Sequence, residues 1–264
     1  MSVLSATGDA LIVAKRNLIK IKRVPDLLVF TTLSPIMFVL LFSYVFGGAI
    51  DRAGGGSAYR EFLIAGIFAQ TVIFGATITG AGLAEDVKKG IIDRFRSLPM
   101  SPGAVLAGRT LSDVVNNVIV VTVMSLTGLI VGWRIRTSFW EGLFGFVLLL
   151  VFAYAISWVG MLVPSPEVVN NASFIVIFPL TFLANTFVQI DTMPRPLQIF
   201  AEWNPVSAVT QAARTLFGNI PPGTPEPTVW TLQHPITYTL IWAVAVLIVF
   251  VPLANWQYRR STSR

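Results

Sequence analysis

The chain has 264 residues, of which 54% are hydrophobic and only 12% are charged, and its mean hydropathy is +0.72. A soluble domain carries about 25% charged residues, so this composition excludes a secreted, disordered or nucleic-acid-binding protein and favours a membrane protein. The chain contains no cysteine, which excludes a disulfide scaffold, a thiolate metal site and a cysteine nucleophile. The net charge of +6 has to be interpreted by position, because membrane proteins concentrate Lys and Arg on the cytoplasmic side.

Six apolar runs follow one another along the chain, and none of them contains Lys, Arg, Asp or Glu. They cover residues 27–46, 62–83, 114–133, 143–163, 168–187 and 236–254. Each run is close to the length of about 20 residues that a helix needs to cross the hydrocarbon core of a bilayer. Helices are expected because a backbone in lipid must satisfy its own hydrogen bonds. We therefore predict an all-α membrane protein with six transmembrane helices.

The distribution of basic residues predicts the orientation. Of the 19 Lys and Arg residues, 13 lie in the N-terminal arm, in the segment after the second run or in the C-terminal tail. The other six belong to the opposite side. The positive-inside rule therefore places both termini in the cytoplasm, which requires an even number of spans and agrees with six.

The N-terminal arm, residues 10–26, is amphipathic. Its apolar positions recur at helical spacing with basic residues between them, and they are Leu11, Ala14, Leu18 and Ile21. A basic amphipathic helix lies in the membrane interface. The simpler interpretation is a basic anchor that fixes the orientation, and the two interpretations are compatible.

The segment 85–100, which follows the second run, has the pattern of a short amphipathic helix. Its apolar positions on one helical face are Val87, Ile91, Phe95 and Leu98. Acidic residues lead and basic residues follow, which suits the helix dipole, and Pro99 ends the helix. The pattern alone fits either a docking surface parallel to the membrane or a solvated amphipathic loop.

The segment between the fifth and sixth runs is rich in proline. Half of the chain's 16 prolines lie between Pro194 and Pro235, yet the segment keeps an apolar periodicity that Pro205 interrupts. Two short helices joined at Asn204 fit this pattern. An ordinary surface loop is the alternative.

Polar amides and aromatic residues share one face of two predicted spans. The face on the second span carries Gln70, Phe74 and Thr77, and the face on the fifth carries Asn171, Phe174, Phe178, Phe182 and Asn185. Such faces could line a route for an amphipathic substrate. Helix packing is the alternative, because interhelical hydrogen bonds of such residues contribute about 0.6 kcal/mol on average.

Two sets of motifs resemble one family. Residues 85–100 read EDVKKGIIDRFRSLPM and residues 104–109 read AVLAGR. The second set is Met193-Pro194, Leu197-Gln198, Asn204-Pro205 and Ala212-Ala213-Arg214. Together with the spacing of the six runs, these segments resemble ABC-2 type permeases over nearly the whole chain, and among them the daunorubicin-resistance-like exporters.

The resemblance implies that residues 1–264 form a single transmembrane domain. This domain would be the permease of an ATP-driven exporter that moves an amphipathic drug or lipid-like molecule out across the bacterial cytoplasmic membrane. It implies a second permease copy or paralogue and a separate ABC ATPase subunit that binds ATP and Mg. The residues that would couple to this ATPase are Glu85, Asp86, Gly90, Ile91, Arg94, Phe95, Leu98 and Pro99. The segment that would re-enter the outer leaflet includes Pro194, Asn204, Pro205 and Arg214. The resemblance also places the second and fifth helices at the dimer axis.

Other functions fit the residues less well. No GxxxxGK[ST] motif occurs, so we expect no ATP site, cofactor or catalytic residue in this chain. An ion-coupled multidrug carrier usually has ionisable residues inside its spans, and the six runs have none. A lipid-modifying membrane enzyme would need a polar catalytic cluster, and His234 is the only histidine. Export of a polysaccharide or lipid is an alternative within the wider family.

Overall fold

The computed structural model describes residues 3–23, 25–46, 56–91, 102–162 and 165–261, and all regular structure within these ranges is helical. The first half contains α1 (Val3–Arg23), α2 (Pro25–Leu40, continued by a π-helical turn at Leu41–Phe46), α3 (Gly56–Lys88), α4 (Pro102–Val131) and α5 (Phe139–Gly160). The second half contains α6 (Pro166–Ala172), a π-helical turn (Ser173–Ile177), α7 (Phe178–Phe182), α8 (Arg195–Trp203), α9 (Pro205–Phe217), α10 (Trp230–Gln233) and α11 (Pro235–Ser261).

Four of these helices are long and apolar enough to cross a membrane. The qualifying segments are Ala58–Lys88 in α3, Gly103–Val131 in α4, Phe139–Gly160 in α5 and Pro235–Gln257 in α11. The prediction of an all-helical membrane protein is confirmed at this level.

The first and fifth predicted spans are less regular than the other four. In the first, α2 contains Pro35, and the apolar segment described as helical, Thr32–Val45, is short. In the fifth, α-helical and π-helical turns alternate from Pro166 to Phe182, and the helix ends before residue 187. Pro179 lies at the start of α7, and a proline removes a backbone donor from the helical ladder. The full six-span topology therefore stays a prediction.

Helices α3 and α4 each begin well before the apolar runs that predicted them, and α3 also ends after its run. Helix α4 begins at Pro102, twelve residues before the run that predicted it, so Arg109 and Asp113 are part of this helix. Helix α3 continues to Lys88, so Glu85 and Asp86 end a long helix and do not begin a short one. Gly90 follows with a φ of 66°, a left-handed conformation that favours glycine and interrupts the helix predicted over 85–98.

Helix α3 forms the centre of the core, and its backbone touches that of α5. Leu63, Ile67 and Phe68 of α3 are fully buried. A Cβ on Gly80 would meet the carbonyl oxygen of Gly160, and one on Gly160 would meet that of Ala76. The two helices can approach this closely only because neither glycine has a side chain.

Helix α1 packs against α4 with one face and exposes the other. Val13 and Ala14 are buried, and a Cβ on Gly108 of α4 would meet Val13 and the carbonyl oxygen of Ala10. Leu11 and Ile12 are exposed. The amphipathic helix predicted for the N-terminal arm is therefore present, and its position at the membrane interface stays a prediction.

Candidate functional site

A cavity of about 450 Å³ opens between α2, α3, α4 and the start of α7. We call it the amide cavity. Its lining residues are Ser34, Pro35, Phe38, Ile67, Gln70, Thr71, Phe74, Gly75, Thr77, Ile78, Asn116, Asn117, Val120 and Phe178. This list contains no Asp, Glu, Lys, Arg or His, so hydroxyl and amide groups are the polar groups that a ligand would meet.

The amide cavity brings together four of the eight residues predicted to line a substrate pathway. Gln70, Phe74 and Thr77 come from the predicted face of α3, and Phe178 comes from the fifth span. The shared face on α3 follows from the helical spacing of these three residues. Their role as pathway residues stays a prediction.

The other four predicted pathway residues lie elsewhere. Asn171 is exposed, and the side chain of Phe174 lies outside the described residues. Phe182 stacks on Phe178, with ring centroids 4.1 Å apart. Asn185 lines a second cavity, described below.

The sequence prediction missed the contribution of α4 and α2. Asn116 and Asn117 of α4 and Ser34 of α2 line the amide cavity. Asn117 lies over Gly75, where a Cβ would come within 2.9 Å of its Oδ1 atom, and its Nδ2 donates to the Asp113 carbonyl oxygen at 3.0 Å. Two adjacent amides within an apolar run were the available signal.

An ion-pair network joins three helices at the end of α3, where the predicted coupling segment begins. Asp86 is 4% exposed. Its Oδ2 atom lies 2.7 Å from Nη2 of Arg16 in α1 and 3.8 Å from Nη1 of Arg109 in α4. Arg109 also pairs with Asp113 at 3.5 Å. We call these four residues the inner network.

The inner network gives Asp86 an inward position within the predicted coupling set. Nδ2 of Asn17 in α1 donates to the Ser112 hydroxyl of α4 at 3.2 Å, which adds a neutral link between the same helices. The carboxylate of Asp86 therefore binds helices of its own chain, whereas the predicted contact with an ATPase would need an outward-facing group.

The exposed residues beside Asp86 form weak surface pairs. Lys89 pairs with Glu85 at 2.6 Å, and this hydrogen bond raises the pKa of Lys89. Lys88 pairs with Glu167 of α6 at 3.2 Å. The pKa of Glu167 is lowered, first by a hydrogen bond with its own backbone and then by Lys88. Surface pairs of this kind contribute little to stability.

Only part of the predicted coupling set can be located. Gly90 forms the turn after α3, and Ile91 follows it with a half-buried side chain. Arg94, Phe95, Leu98 and Pro99 lie outside the described residues.

The two short helices predicted in the proline-rich segment are present as α8 and α9. Pro194 occupies the N-cap position of α8, and Pro205 is the first residue of α9. Asn204 between them accepts a hydrogen bond from the Val206 N–H at 2.9 Å and donates to the Leu180 carbonyl at 2.7 Å. The junction is thereby capped and tied to α7. Re-entry of these helices into the outer leaflet stays a prediction.

Arg214 of α9 is a buried cation that binds main-chain carbonyl groups. Its side chain is 1% exposed. It donates hydrogen bonds of 2.9 Å to the carbonyl oxygens of Phe62 and Thr186, and its guanidinium lies 3.4 Å from the centroid of the Phe62 ring. Arg214 therefore fastens α9 to α3 and to the segment that follows α7.

A second cavity, of about 290 Å³, lies beside Phe62. We call it the acidic cavity. It is lined by Phe62, Asn185, Gln189, Ile190, Asp191, Gln198, Glu202, Gln211, Ile220, Thr224, Pro225, Glu226, Pro227, Thr228, Val229 and Leu232. Its three carboxylate residues distinguish it from the amide cavity.

Comparison with known proteins gives a consistent result. Residues 9–217 match the family described as ABC-2 type transporter. The chain is 36% identical to the daunorubicin resistance ABC transporter permease protein DrrB1 of Streptomyces coeruleorubidus, over 76% of this chain and 72% of that protein. It is 23% identical to a probable doxorubicin resistance ABC transporter permease protein, DrrC, of Mycobacterium tuberculosis, over 86% and 80%. It is 24% identical to a putative transport permease of Cyanophora paradoxa, over 80% and 74%.

Proposed function

Because this chain belongs to the ABC-2 type transporter family, we propose that it is the permease subunit of an ATP-driven exporter. The exporter moves an amphipathic drug or lipid-like molecule outward across the bacterial cytoplasmic membrane. The names of two relatives, which refer to daunorubicin and doxorubicin resistance, support a drug as the substrate.

The amide cavity is the observation that carries this proposal. Its volume of about 450 Å³ is within the range of small-molecule sites, about 300–1,000 Å³. Phe38, Phe74 and Phe178 offer aromatic surface, and the amides of Gln70 and Asn117 offer both donors and acceptors. This combination suits a molecule with a large apolar surface and a few neutral hydrogen-bonding groups.

ATP hydrolysis belongs to a separate ABC ATPase subunit, because the chain has no P-loop motif. The segment from Glu85 to Pro99 docks on this ATPase. A second permease copy or paralogue completes the transporter. Both termini lie in the cytoplasm, in agreement with the distribution of Lys and Arg.

The inner network suggests how a push on the coupling segment reaches the cavity. Asp86 lies at the end of α3, directly before the turn at Gly90, and Thr77 of the cavity wall is nine residues earlier, about 14 Å along the helix axis. Arg16 and Arg109 tie α1 and α4 to Asp86. A displacement of the coupling segment would therefore move α3 and α4, which form two walls of the amide cavity, as one unit.

The proposal is tested with inverted membrane vesicles from cells of the source organism that overproduce the full chain. ATP-dependent uptake of daunorubicin is measured for the wild type and for Gln70→Leu. We expect uptake to fall at least fivefold, because the variant removes an amide from the cavity. The control Thr122→Val removes an exposed hydroxyl of α4 outside the cavity and should transport normally. Equal uptake by Gln70→Leu and the wild type would contradict a transport route through the amide cavity.

An ion-coupled carrier is a second candidate, and one observation favours it. The apolar runs contained no carboxylate, but the helix that spans Gly103–Val131 includes Asp113. This residue precedes Asn117 of the cavity wall by one helical turn and pairs with Arg109. The carrier would replace the exporter as the proposed function under two conditions. A protonophore would have to abolish uptake while ATP depletion did not, and Asp113→Asn would have to abolish uptake as the protonophore does.

A further inference from the structure

The acidic cavity is separate from the amide cavity and lies near the opposite end of α3 from Asp86. Phe62, in the first third of α3, contributes to its wall. It precedes Gln70 of the amide cavity by eight residues, about 12 Å along the helix. The rest of the wall comes from the segment between α7 and α8, from α8, α9 and α10, and from the connection between α9 and α10.

Asn185, which lines this cavity, has an unused hydrogen-bond acceptor. The residue is 4% exposed. Its Nδ2 donates to Oε1 of Gln211 at 3.2 Å, and its backbone N–H donates to the Ser207 hydroxyl at 3.2 Å. Its Oδ1 atom has no hydrogen-bond partner within the described residues. A buried acceptor without a donor is costly, so a ligand that donates a hydrogen bond would stabilise it.

The charges around the cavity favour a cation. Glu202 is 7% exposed in its side chain and pairs with Arg195 at 3.4 Å, while Asp191 and Glu226 are exposed. Among the residues that the structure describes, no Lys or Arg lines the cavity. Arg195 pairs with Glu202, and Arg214 donates to two main-chain carbonyl groups and stacks on Phe62. The three lining carboxylates therefore carry more negative charge than Arg195 alone neutralises.

The wall chemistry points to an organic cation in preference to a metal ion. Within the part of the chain that the structure describes, no group of three or more His, Cys, Asp or Glu is placed to hold a metal. The wall also includes the apolar side chains of Ile190, Ile220 and Leu232. A metal ion needs oxygen ligands on several sides, whereas an amphipathic amine contacts carboxylates with its charged end and apolar side chains with the rest.

We propose that the acidic cavity is a binding site for an amphipathic organic ammonium ion. The N–H groups of the ligand donate to Oδ1 of Asn185 and to the carboxylate of Glu202, and its apolar part packs on Ile220 and Leu232. The binding does not depend on ATP or on an ATPase partner, so it can be measured on the permease alone.

The test uses the full chain, purified in lipid nanodiscs, and the fluorescent primary amine dansylcadaverine as the probe. Its N-acetylated derivative is the neutral control ligand. We expect the wild type to bind the amine at least tenfold more tightly than the acetylated form. Asn185→Leu should weaken amine binding at least tenfold, because it removes the acceptor.

The variant Asn185→Asp separates a lost acceptor from a lost fold. It keeps an oxygen acceptor and adds a negative charge, so amine binding should tighten by at least threefold. Equal affinity for the two ligands, or no tightening in Asn185→Asp, would overturn the proposal.

A third variant separates this site from the proposed transport route. Gln70→Leu changes the amide cavity alone and should bind the amine with unchanged Kd in nanodiscs, even where drug uptake is lost. If Gln70→Leu abolished amine binding and Asn185→Leu did not, the amine would bind in the amide cavity and the acidic cavity would not be its site.

Discussion

The two ends of α3 are each fastened by a buried charge, but the fastenings differ. At the Asp86 end, the carboxylate is shared by two arginines from two helices, at 2.7 and 3.8 Å. At the Phe62 end, Arg214 binds two main-chain carbonyls and an aromatic ring. The first link joins side chains that can exchange partners, whereas the second joins a side chain to the backbone.

The difference suggests that the two ends of α3 have different roles. The inner network includes Asp86 of the predicted coupling segment, where an exchange of ion-pair partners would accompany movement. The Arg214 link lies beside the acidic cavity, where it holds α9 in place. The amide cavity between the two ends is lined by uncharged residues, so a ligand there meets neither fastening directly.

The largest effect is expected from loss of the Arg214 link. Arg214→Leu leaves the carbonyls of Phe62 and Thr186 without this donor and should destabilise the protein by about 3 kcal/mol, since hydrogen bonds to charged groups contribute about 1.5–3 kcal/mol each. Thermal melting in detergent measures the loss. Arg214→Lys keeps the charge and should be intermediate. A melting temperature unchanged in both variants would show that the link is not structural.

Loss of the inner network is expected to reduce transport. Asp86→Ala is expected to lower ATP-driven drug uptake at least tenfold, because it leaves Arg109 without this counterion and disconnects α1 from α3. Arg16→Ala should be milder, since Arg109 still pairs with Asp86. Residues that share one network are not additive, so the double variant should transport no worse than Asp86→Ala. Additive losses in uptake would mean that Arg16 and Asp86 act separately.

The cavity wall should affect transport with little effect on stability. Asn117→Leu is expected to reduce uptake of the drug about fivefold and to leave the melting temperature within a few degrees of the wild type. The hydrogen bond it removes is local, from Asn117 to the Asp113 carbonyl of the same helix. Loss of folding together with uptake would assign Asn117 to helix packing, the alternative that the sequence left open.

The smallest effect is expected at the exposed pair of Lys88 and Glu167. The pKa of Glu167 is lowered from 4.5, so the carboxylate's contribution is present above about pH 4.5 and is lost as the pH falls through the lowered pKa. Between pH 6 and 8 the contribution is constant and small, because both side chains are exposed. Glu167→Gln should therefore melt and transport like the wild type in this range. A large loss would show that this pair belongs to the coupling machinery.

The helical membrane architecture could be predicted from hydropathy, because four apolar runs correspond to long helices in the structure. The break at Asn204 was predictable for a local reason, since proline cannot continue a helix. The ends of α3 and α4 were not predictable from hydropathy. Asp86 is paired across helices with Arg16 and Arg109, and a pairing over such sequence distances has no local signal.

The candidate site was predictable only in part, because one of its predicted faces crosses an irregular helix. Helical spacing placed Gln70, Phe74 and Thr77 on one face of α3, and the structure keeps them on one cavity wall. Asn185 shared a predicted face with Phe178 but lies in the other cavity. The π-helical turn at Ser173–Ile177 and the end of α7 at Phe182 change the helical register, so a regular 3.6-residue spacing does not hold across that segment.

The most direct test of the account asks whether a transported drug occupies the amide cavity. The chain has no cysteine, so a single introduced thiol can be followed without background. Thr77→Cys in the cavity and Thr215→Cys, an exposed position outside both cavities, are alkylated with N-ethylmaleimide with and without the drug. We predict that the drug slows alkylation at position 77 at least fivefold and leaves position 215 unchanged. Equal alkylation rates at position 77 with and without a drug that the protein transports would contradict the route through the amide cavity.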